Sequence, residues 1–475
     1  MNIPNIKKAI FSIFLISSIF NELNSQIKHS TGLLFNARKY SKLETVSPAL
    51  KFNEPERDSY SLKKYCPTPG DQGQMGSCTS WATGYAALTI SQAIAENNTD
   101  TRDITKKAKS ALYIYNQIKK GTCAEGAYIE DAIELVQKKG DCDLKDFNPD
   151  NCSIIPTRIE DIKADLFKIK DHNRLWDIDA SYTQKILATI NSLNSNKPVI
   201  ISLSVKKSIH EVSKDGEYLP KGNFNINDPG HALCVIGYDN INKKFEIINS
   251  WGTNWGDNGF FKISYEDFGK FSVGGYQFSI SYKDMYKQPI QGHFQLLKIQ
   301  NENNSSITIS PYFGSDKFYH ISSKFKLNDF FRLKAYNLTK DSYVYIFSYK
   351  PNKTAEILFP IHYNSKNTFI DIPLITSSNA SIELPENVEN AYTADQKGED
   401  ILCIFYTNKR IINLDKLIKE IPKFNGDIWS WFNTNFKNEQ IDPSLLLYNT
   451  FEMGIATNEG FKGSIAPIFL KVNVQ

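Results

Sequence analysis

The sequence predicts an α+β fold in which helices come early and strands come late. Apolar residues recur at helical spacing in residues 78–95, 128–139 and 182–193. A β-branched run at residues 198–205 then begins a series of short strands. The chain has 475 residues, more than the roughly 250–300 that one compact domain holds, so we expect at least two domains.

The composition excludes several classes of protein. Hydrophobic residues make up 41% and charged residues 23%, which excludes a wholly disordered or collagen-like chain. Lys plus Arg number 55 and Asp plus Glu 52, so the net charge is only +3 and we expect no nucleic-acid partner. Aromatic residues, at 13%, favour large cores and substantial β structure.

The first 25 residues have the pattern of a secretory signal peptide. Lys7 and Lys8 precede a largely apolar run at residues 9–20, and a small, polar stretch follows up to Ser25. The run is too short to span a bilayer, which takes about 20 residues; the alternative is a buried N-terminal helix. We expect a secreted, periplasmic or cell-surface protein without a membrane span.

The following elements are expected in chain order. Residues 26–55 lack a strong period and are expected to form a spacer or a short propeptide. A Gly-rich turn at residues 71–77 leads into the first helix, and Gly140 ends the second. Two more strands, residues 232–238 and 244–248, complete the first half.

The C-terminal half consists almost wholly of predicted strands. They are expected at residues 331–336, 343–349, 356–359, 400–406 and 465–474. We expect a mostly antiparallel, β-sandwich-like domain over residues 295–475, with a helical insertion at residues 414–421, and a first half that folds without it. Trp429 and Trp431 are expected in its core, with a binding patch as the alternative.

Cys78 begins the first predicted helix, where a cysteine is chemically special. Free backbone N–H groups and the helix dipole stabilise a thiolate there, so we expect a nucleophile with a lowered pKa. Gln72 can donate, together with the Cys78 N–H, to a developing oxyanion. The alternative is a buried half-cystine, which is common in secreted chains.

His231 begins one predicted strand and Asn249 ends the next, so a hairpin places them side by side. The asparagine amide can fix the histidine tautomer, and the histidine can deprotonate Cys78. Either residue alone has an ordinary structural explanation, as a satisfied histidine or a turn asparagine. Their occurrence together with Cys78 indicates nucleophilic catalysis.

Gln72, Cys78, His231 and Asn249 together resemble the papain family of cysteine peptidases in chain order and local motif. The six-residue gap before the cysteine, the Gly-Ser-Cys triplet and the Asn-Ser-Trp-Gly run all match the family pattern. The resemblance covers about residues 56–286. It implies a two-lobed papain-like domain, with the cysteine on a helical lobe and the histidine and asparagine on a β-rich lobe.

The same resemblance implies roles for five more residues. Trp251 is expected to shield the His–Asn hydrogen bond from water, and Trp255 to pack nearby. Gly76 and Ser77 are expected to support the nucleophile. The backbone of Gly126 is expected to pair with the substrate.

Three features depart from the family pattern. Met75 stands where the family has a half-cystine, and Thr79 replaces the tryptophan after the nucleophile, which resembles the bacterial branch. Residues 26–55 are too short for a long helical prodomain. The C-terminal half is similar to an uncharacterised all-β domain appended to bacterial enzymes.

The resemblance implies a secreted cysteine peptidase that hydrolyses protein or peptide substrates through a thioester on Cys78, without a metal or organic cofactor. One alternative is a catalytically inactive papain-fold binding or adhesion protein. Another is a Cys–His acyltransferase of the transglutaminase type, which normally has Asp in place of Asn249.

The seven cysteines allow one free thiol and up to three disulfides. With Cys78 free, Cys234 and Cys403 lie in apolar strands and are expected to be buried and unpaired. The bridges are expected among the other four, in any of three pairings: Cys66, Cys123, Cys142 and Cys152.

Overall fold

The computed structural model describes most of the chain. The described residues are 29–47, 49–52, 57–281, 289–300, 305–350, 352–360, 362–363, 369–386, 391–449, 452–458 and 461–475. The expected signal peptide, residues 1–25, lies outside them. So does the expected domain boundary at residue 286.

The helices lie mainly in the first half of the chain. They are α1 (Ala37–Tyr40), α2 (Cys78–Ser80), a π-helical stretch (Trp81–Leu88), α3 (Thr89–Ala95), α4 (Thr101–Lys106), α5 (Ala111–Ile118), α6 (Ile129–Lys139), α7 (Arg158–Ala164), α8 (Tyr182–Asn194), α9 (Tyr265–Phe271), α10 (Leu414–Ile418) and α11 (Ile428–Asn435). Short 3₁₀ turns occur at Lys63–Tyr65, Lys207–Glu211, Ile421–Lys423 and Pro443–Leu445. Residues 78–95 therefore form one continuous helical segment with a wider middle, as their periodicity predicts in outline.

All described strands of the first half except β3 belong to one mixed sheet. The strands of this half are β1 (Leu33–Leu34), β2 (Thr45–Val46), β3 (Leu50–Phe52), β4 (Ser59–Ser61), β5 (Ala127–Tyr128), β6 (Lys168–Arg174), β7 (Val199–Ser204), β8 (Gly230–Asp239), β9 (Lys244–Ile248), β10 (Phe260–Ser264) and β11 (Ser272–Ser281). The main path of this sheet begins β10-β9-β8-β7-β11-β6-β2, while β3 belongs to a different sheet. The helix that begins at Cys78 packs against β7 and β8.

The second half of the chain contains fifteen described strands. They are β12 (Gln291–Gln300), β13 (Ser305–Thr308), β14 (Pro311–Phe313), β15 (Tyr319–Ile321), β16 (Phe330–Tyr336), β17 (Tyr343–Tyr349), β18 (Ala355–Phe359), β19 (His362–Tyr363), β20 (Phe369–Ile372), β21 (Ala380–Leu384), β22 (Tyr392–Thr393), β23 (Gly398–Thr407), β24 (Leu446–Asn449), β25 (Met453–Thr457) and β26 (Ile465–Val474). One sheet has the order β24-β25-β12-β16-β21-β3, and another has the order β14-β15-β26-β23-β17-β18.

Two cores are built on these C-terminal strands. Buried side chains from both sheets, such as Leu333 and Ile468, belong to one hydrophobic core. A second core packs α10 and α11 against the outer face of the smaller sheet. Trp431 is buried there, as expected for a core residue, and Trp429 is partly buried beside it.

Residues 29–52 join the two halves of the chain. Strand β2 pairs with β6 of the first half and with β20 of the second. Strand β3 pairs with β21, and Leu50 contributes to the C-terminal core. The expected spacer or propeptide is therefore built into both sheets over much of its length.

Candidate active site

Cys78 is the first residue of α2 and is completely buried. Its Sγ accepts a hydrogen bond from the backbone N–H of Ala232 at 3.5 Å and another from the N–H of Gly32 at 3.3 Å. Ala232, the first of these two donors, directly follows His231 on β8. The hydrogen bond therefore joins the helix bearing the cysteine to the strand bearing the histidine.

His231 and Asn249 lie side by side on neighbouring strands, as the hairpin prediction requires. His231 is in β8, Asn249 directly follows β9, and His231 Nε2 lies 2.8 Å from Asn249 Oδ1. Burial lowers the pKa of His231 to about 4, although the hydrogen bond to Asn249 opposes the shift. The imidazole is consequently neutral at pH 7 in this form.

Trp251 covers the histidine–asparagine pair. Its ring stacks on His231 with centroids 4.8 Å apart and is 1% exposed. Trp255 meets the edge of Trp251 at 5.2 Å and donates through Nε1 to Ile209 O. Both indoles are buried, Trp255 with 9% exposure, and Trp251 lies directly against the imidazole.

Two further histidines, which were not predicted at the site, also stack on Trp251. His210 lies 4.8 Å from it and His29 5.3 Å from it, measured between ring centroids. His29 Nε2 lies 3.1 Å from Asp71 Oδ1, and this contact lowers the pKa of Asp71. No local pattern connects these residues, because they come from three separate segments.

Both the oxygen and the nitrogen of the Gln72 side-chain amide form hydrogen bonds within the protein. Its Oε1 accepts from Ser250 Oγ at 2.6 Å, and its backbone N–H donates to Ser250 O at 2.8 Å. Its Nε2 donates to the carbonyl oxygens of Met75 at 2.8 Å and Ser30 at 3.0 Å. The amide group therefore already binds a backbone carbonyl oxygen.

Residues 29–35, here called the covering segment, lie across these groups. Leu33 pairs with Ala127 on one side and with Gly230 on the other. The N–H of Ala127 donates to Gly32 O at 3.0 Å. The backbone of the chain itself thus pairs beside Gly126, where the resemblance places substrate.

Two glycines make this close approach possible. A Cβ on Gly126 would lie 1.8 Å from Gly32 O, and a Cβ on Gly32 would lie 2.1 Å from Gly76 O. Since neither contact is sterically possible, a larger residue at either position displaces the covering segment. Ser77, between Gly76 and the nucleophile, is fully buried.

The pKa of Cys78 is raised, not lowered as expected from its position at a helix start. Burial is the largest cause and outweighs the backbone N–H donors, which lower the pKa. The covering segment contributes to this burial, because the backbone N–H of Gly32 contacts the Cys78 sulfur. The Cys78 thiol and the His231 imidazole are therefore both neutral in the covered form.

The cysteines follow the expectation in part. Cys123 and Cys152 form a disulfide, and Cys78, Cys234 and Cys403 are buried and unpaired, as predicted. A second bridge between Cys66 and Cys142 is not formed, which corrects the expectation that all four remaining cysteines pair. Both of these thiols are buried within the first core.

In the part of the chain that the structure describes, no three His, Cys, Asp or Glu side chains are grouped so that they could hold a metal ion. Within the same residues, no helix is both long enough and apolar enough to cross a membrane.

The mixed fold and this arrangement of side chains are those of a cysteine-type peptidase domain. Residues 56–278 match the family model for the papain family of cysteine proteases. This match supports a cysteine-type peptidase domain over these residues.

The similarity to individual proteins is low and partial. A protein of Acanthamoeba polyphaga mimivirus described as an uncharacterized peptidase C1-like protein is 28% identical over 203 residues, which are 41% of this chain and 64% of that protein. Cathepsin K of Mus musculus is 24% identical over 247 residues, 49% of this chain and 67% of the cathepsin. The match thus spans less than two thirds of the mimivirus protein.

One solved structure with a similar chain is xylellain, a cysteine protease from Xylella fastidiosa. It is 22% identical to this chain, with a TM-score of 0.38, and the match covers 53% of this chain and 91% of xylellain.

Proposed function

We propose that this protein is a secreted cysteine peptidase that hydrolyses peptide bonds through a thioester on Cys78. The observation that carries the proposal is the contact between His231 Nε2 and Asn249 Oδ1 at 2.8 Å. Ala232, the residue after His231, donates its backbone N–H to the Cys78 sulfur. This is the arrangement that a thiol nucleophile, its base and an orienting amide require.

Each side chain then has one role in acyl transfer. The Cys78 thiolate attacks the substrate carbonyl carbon, while Gln72 Nε2 and the Cys78 N–H stabilise the oxyanion. His231 gives its proton to the leaving amine and later takes one from the water that hydrolyses the thioester. Asn249 keeps the imidazole in the tautomer and orientation that both steps need.

Several surrounding residues support the same site. Trp251 and Trp255 exclude water from the His–Asn hydrogen bond, and Gly76 leaves space beside the nucleophile. The backbone at Gly126 pairs with an extended peptide; the covering segment already makes such pairing through Ala127. No residue in this mechanism requires a metal or an organic cofactor.

The finer assignments are also proposals. Residues 1–25 act as the signal peptide, residues 26–55 include a short propeptide, residues 56–286 form a two-lobed peptidase domain, and residues 295–475 form a β-sandwich-like domain. The Cys123–Cys152 disulfide is compatible with export, since disulfides persist in oxidising compartments. Thr79 supports placement in the bacterial branch.

We further propose that the described form is latent. The covering segment occupies the amide of Gln72 through Ser30 O and the sulfur of Cys78 through the Gly32 N–H. A peptide substrate needs both groups. The covering segment must therefore leave before the enzyme can turn over.

A peptide-library cleavage assay on the purified protein, before and after removal of the covering segment, tests the proposal. Uncovered protein should cleave peptides, and Cys78→Ala should abolish cleavage. Cys403→Ala, which removes a buried thiol in the C-terminal half, should keep it. Uncovered protein that binds peptides without cleaving them would instead support the inactive binding-protein alternative.

A further inference from the structure

We propose that the C-terminal half carries a second ligand site, a cavity that binds a small carboxylate with an apolar or aromatic body. The cavity has a volume of about 380 Å³ and lies between helix α11, strands β14 and β24 and the turn at Pro443–Leu445. Every residue that lines it falls within residues 313–467. The inference therefore goes beyond the proposed peptidase and does not depend on it.

Aromatic side chains form much of the cavity wall and hold one another in place. Phe313 stacks on Tyr448 with ring centroids 4.5 Å apart, and the Tyr448 hydroxyl donates to Pro467 O at 3.1 Å. Trp429 meets Phe469, which lies outside the cavity, edge to face at 4.6 Å. Because these contacts fix the rings without a ligand, the cavity is preformed, and its wall favours an apolar body.

Lys317 is the one charged side chain among the described residues that line the cavity. It is exposed and forms no ion pair with any residue that the structure describes. The neighbouring carboxylate of Asp316 is engaged by His320 at 2.9 Å and by Lys471 at 3.2 Å. The Lys317 ammonium group is therefore available to an anionic group of a ligand.

Trp429 supplies a second donor that lacks an acceptor. Its Nε1 is buried and forms no hydrogen bond within the described part of the chain. Phe318, the residue after Lys317, meets Trp429 edge to face with centroids 6.4 Å apart, so the lysine and the indole belong to adjoining walls. A buried N–H without an acceptor is costly, and a ligand oxygen relieves that cost.

The side of the cavity at Ser444 has the opposite electrostatic character. Ser444 Oγ donates to Asp442 Oδ1 at 2.8 Å, and its backbone N–H donates to the same oxygen at 2.9 Å. These hydrogen bonds lower the pKa of Asp442, so this carboxyl group is charged at neutral pH. A ligand carboxylate is repelled from Ser444 and attracted to Lys317.

The chemical class of the ligand follows from these features together. A purely apolar molecule would leave the Lys317 ammonium and the Trp429 N–H without a partner. A carbohydrate would place many hydroxyl groups against a mostly apolar wall. A carboxylate on an apolar body satisfies both parts, and it has two sources: a free carboxylic acid, such as a medium-chain fatty acid, or the C-terminal residue of a peptide.

Isothermal titration calorimetry on the full chain tests the inference with two carboxylates and their neutral counterparts. Octanoate is compared with octan-1-ol, and N-acetylphenylalanine, which represents a peptide C-terminus, is compared with its amide. We expect at least one carboxylate to bind about fivefold more tightly than its neutral counterpart, the effect of one partly exposed ion pair. The carboxylate that binds identifies the source.

Four variants assign the binding to this cavity. Lys317→Gln should remove the preference for the carboxylate, whereas Lys419→Gln, at an exposed lysine outside the cavity, should keep it. Trp429→Phe should weaken carboxylate binding, because it keeps an aromatic wall and removes the donor. Asn433→Trp should block all four probes, because it places a large side chain at an exposed position of the lining. Thermal unfolding by circular dichroism verifies that each variant is folded.

Two results would overturn the inference. One is that neither carboxylate binds the full chain at concentrations up to about 10 mM. The other is carboxylate binding that is the same in Lys317→Gln and Asn433→Trp as in the unaltered protein, because the acid would then bind elsewhere on the chain.

Discussion

Ser250 Oγ donates a hydrogen bond to Gln72 Oε1 at 2.6 Å, and this contact determines which way the glutamine amide faces. With its oxygen engaged by Ser250, the amide presents Nε2 to the carbonyl of Ser30. The proposed oxyanion donor is therefore aimed by the residue that follows Asn249.

Ser250→Ala should lower kcat/KM of the uncovered enzyme by about tenfold, because the amide of Gln72 becomes free to rotate. Gln72→Ala should lower it more, by about a hundredfold or greater, as loss of one oxyanion donor does. Steady-state peptide hydrolysis measures both. The alkylation rate of Cys78 should be unchanged in Ser250→Ala; an equal loss in alkylation would mean that Ser250 acts on the fold and not on Gln72.

Acid should weaken the covered form through His231. Its pKa is about 4 in the covered form, below the ordinary value of about 6.5, so the unfolded chain binds a proton first as the pH falls. The stabilising contribution is thus complete above about pH 6.5 and is lost as the pH falls toward 4, amounting to about 3 kcal/mol.

Urea unfolding of the protein in its covered form, at about pH 7.5 and about pH 4.5, measures this loss. His231→Gln should show a smaller difference between the two conditions, because it has no imidazole to protonate. The same difference in both proteins would assign the acid sensitivity to other groups.

The ion pair between Lys197 and Asp341, which joins the two halves of the chain, should contribute to the stability of the protein. Asp341 Oδ1 accepts from Lys197 Nζ at 2.7 Å and from Ser279 Oγ at 2.6 Å. Although burial raises the pKa of Asp341, Lys197 and Lys340 lower it to about 2, so the carboxylate is charged. Asp341→Ala should reduce the free energy of unfolding by about 3 kcal/mol, because Lys197 is left buried and unpaired.

Denaturant unfolding with two companion variants checks this prediction. Asp341→Asn should cost less, because it keeps an acceptor for Ser279. Glu420→Ala, which breaks an exposed pair with Lys423, should change stability by no more than about 1 kcal/mol. If Asp341→Ala costs no more than Glu420→Ala, the Lys197–Asp341 ion pair does not stabilise the contact between the two halves.

Strands with strong local patterns could be predicted from the sequence. Lys244–Ile248, Tyr343–Tyr349 and Ile465–Val474 were predicted with the bounds that the structure shows. Each contains a run of apolar, β-branched or aromatic residues, a pattern that is typical of a buried strand. The site residues were also recognisable, because their chemistry lies in short contiguous motifs.

Elements that depend on distant partners could not be predicted. Strand β6, Lys168–Arg174, is polar, yet Asp171, Asn173 and Arg174 are buried because other segments supply their partners. Helix α11, Ile428–Asn435, was also missed, although its two tryptophans were noticed. The local sequence of neither element has a pattern strong enough to predict a strand or a helix there.

The covering segment and strand β2 were missed for the same reason. Strands β1 and β2 have two residues each, which is too short for any period. Gly32 lies against the backbone of Gly76 and Gly126 only because Gly32 and Gly126 lack side chains, and the three positions are far apart in the chain. That coincidence becomes visible only when the fold brings them together.

The pH dependence of Cys78 alkylation, in protein from which the covering segment has been removed, tests the central claim most directly. We predict that iodoacetamide still reacts rapidly at about pH 5, because uncovering lets a charged His231 stabilise the thiolate, whereas an ordinary thiol titrates near about 8.5. His231→Ala should lose this reaction at acidic pH. If Cys78 of the uncovered protein reacts only as an ordinary thiol does, with or without His231, it is not an activated nucleophile and the peptidase account is contradicted.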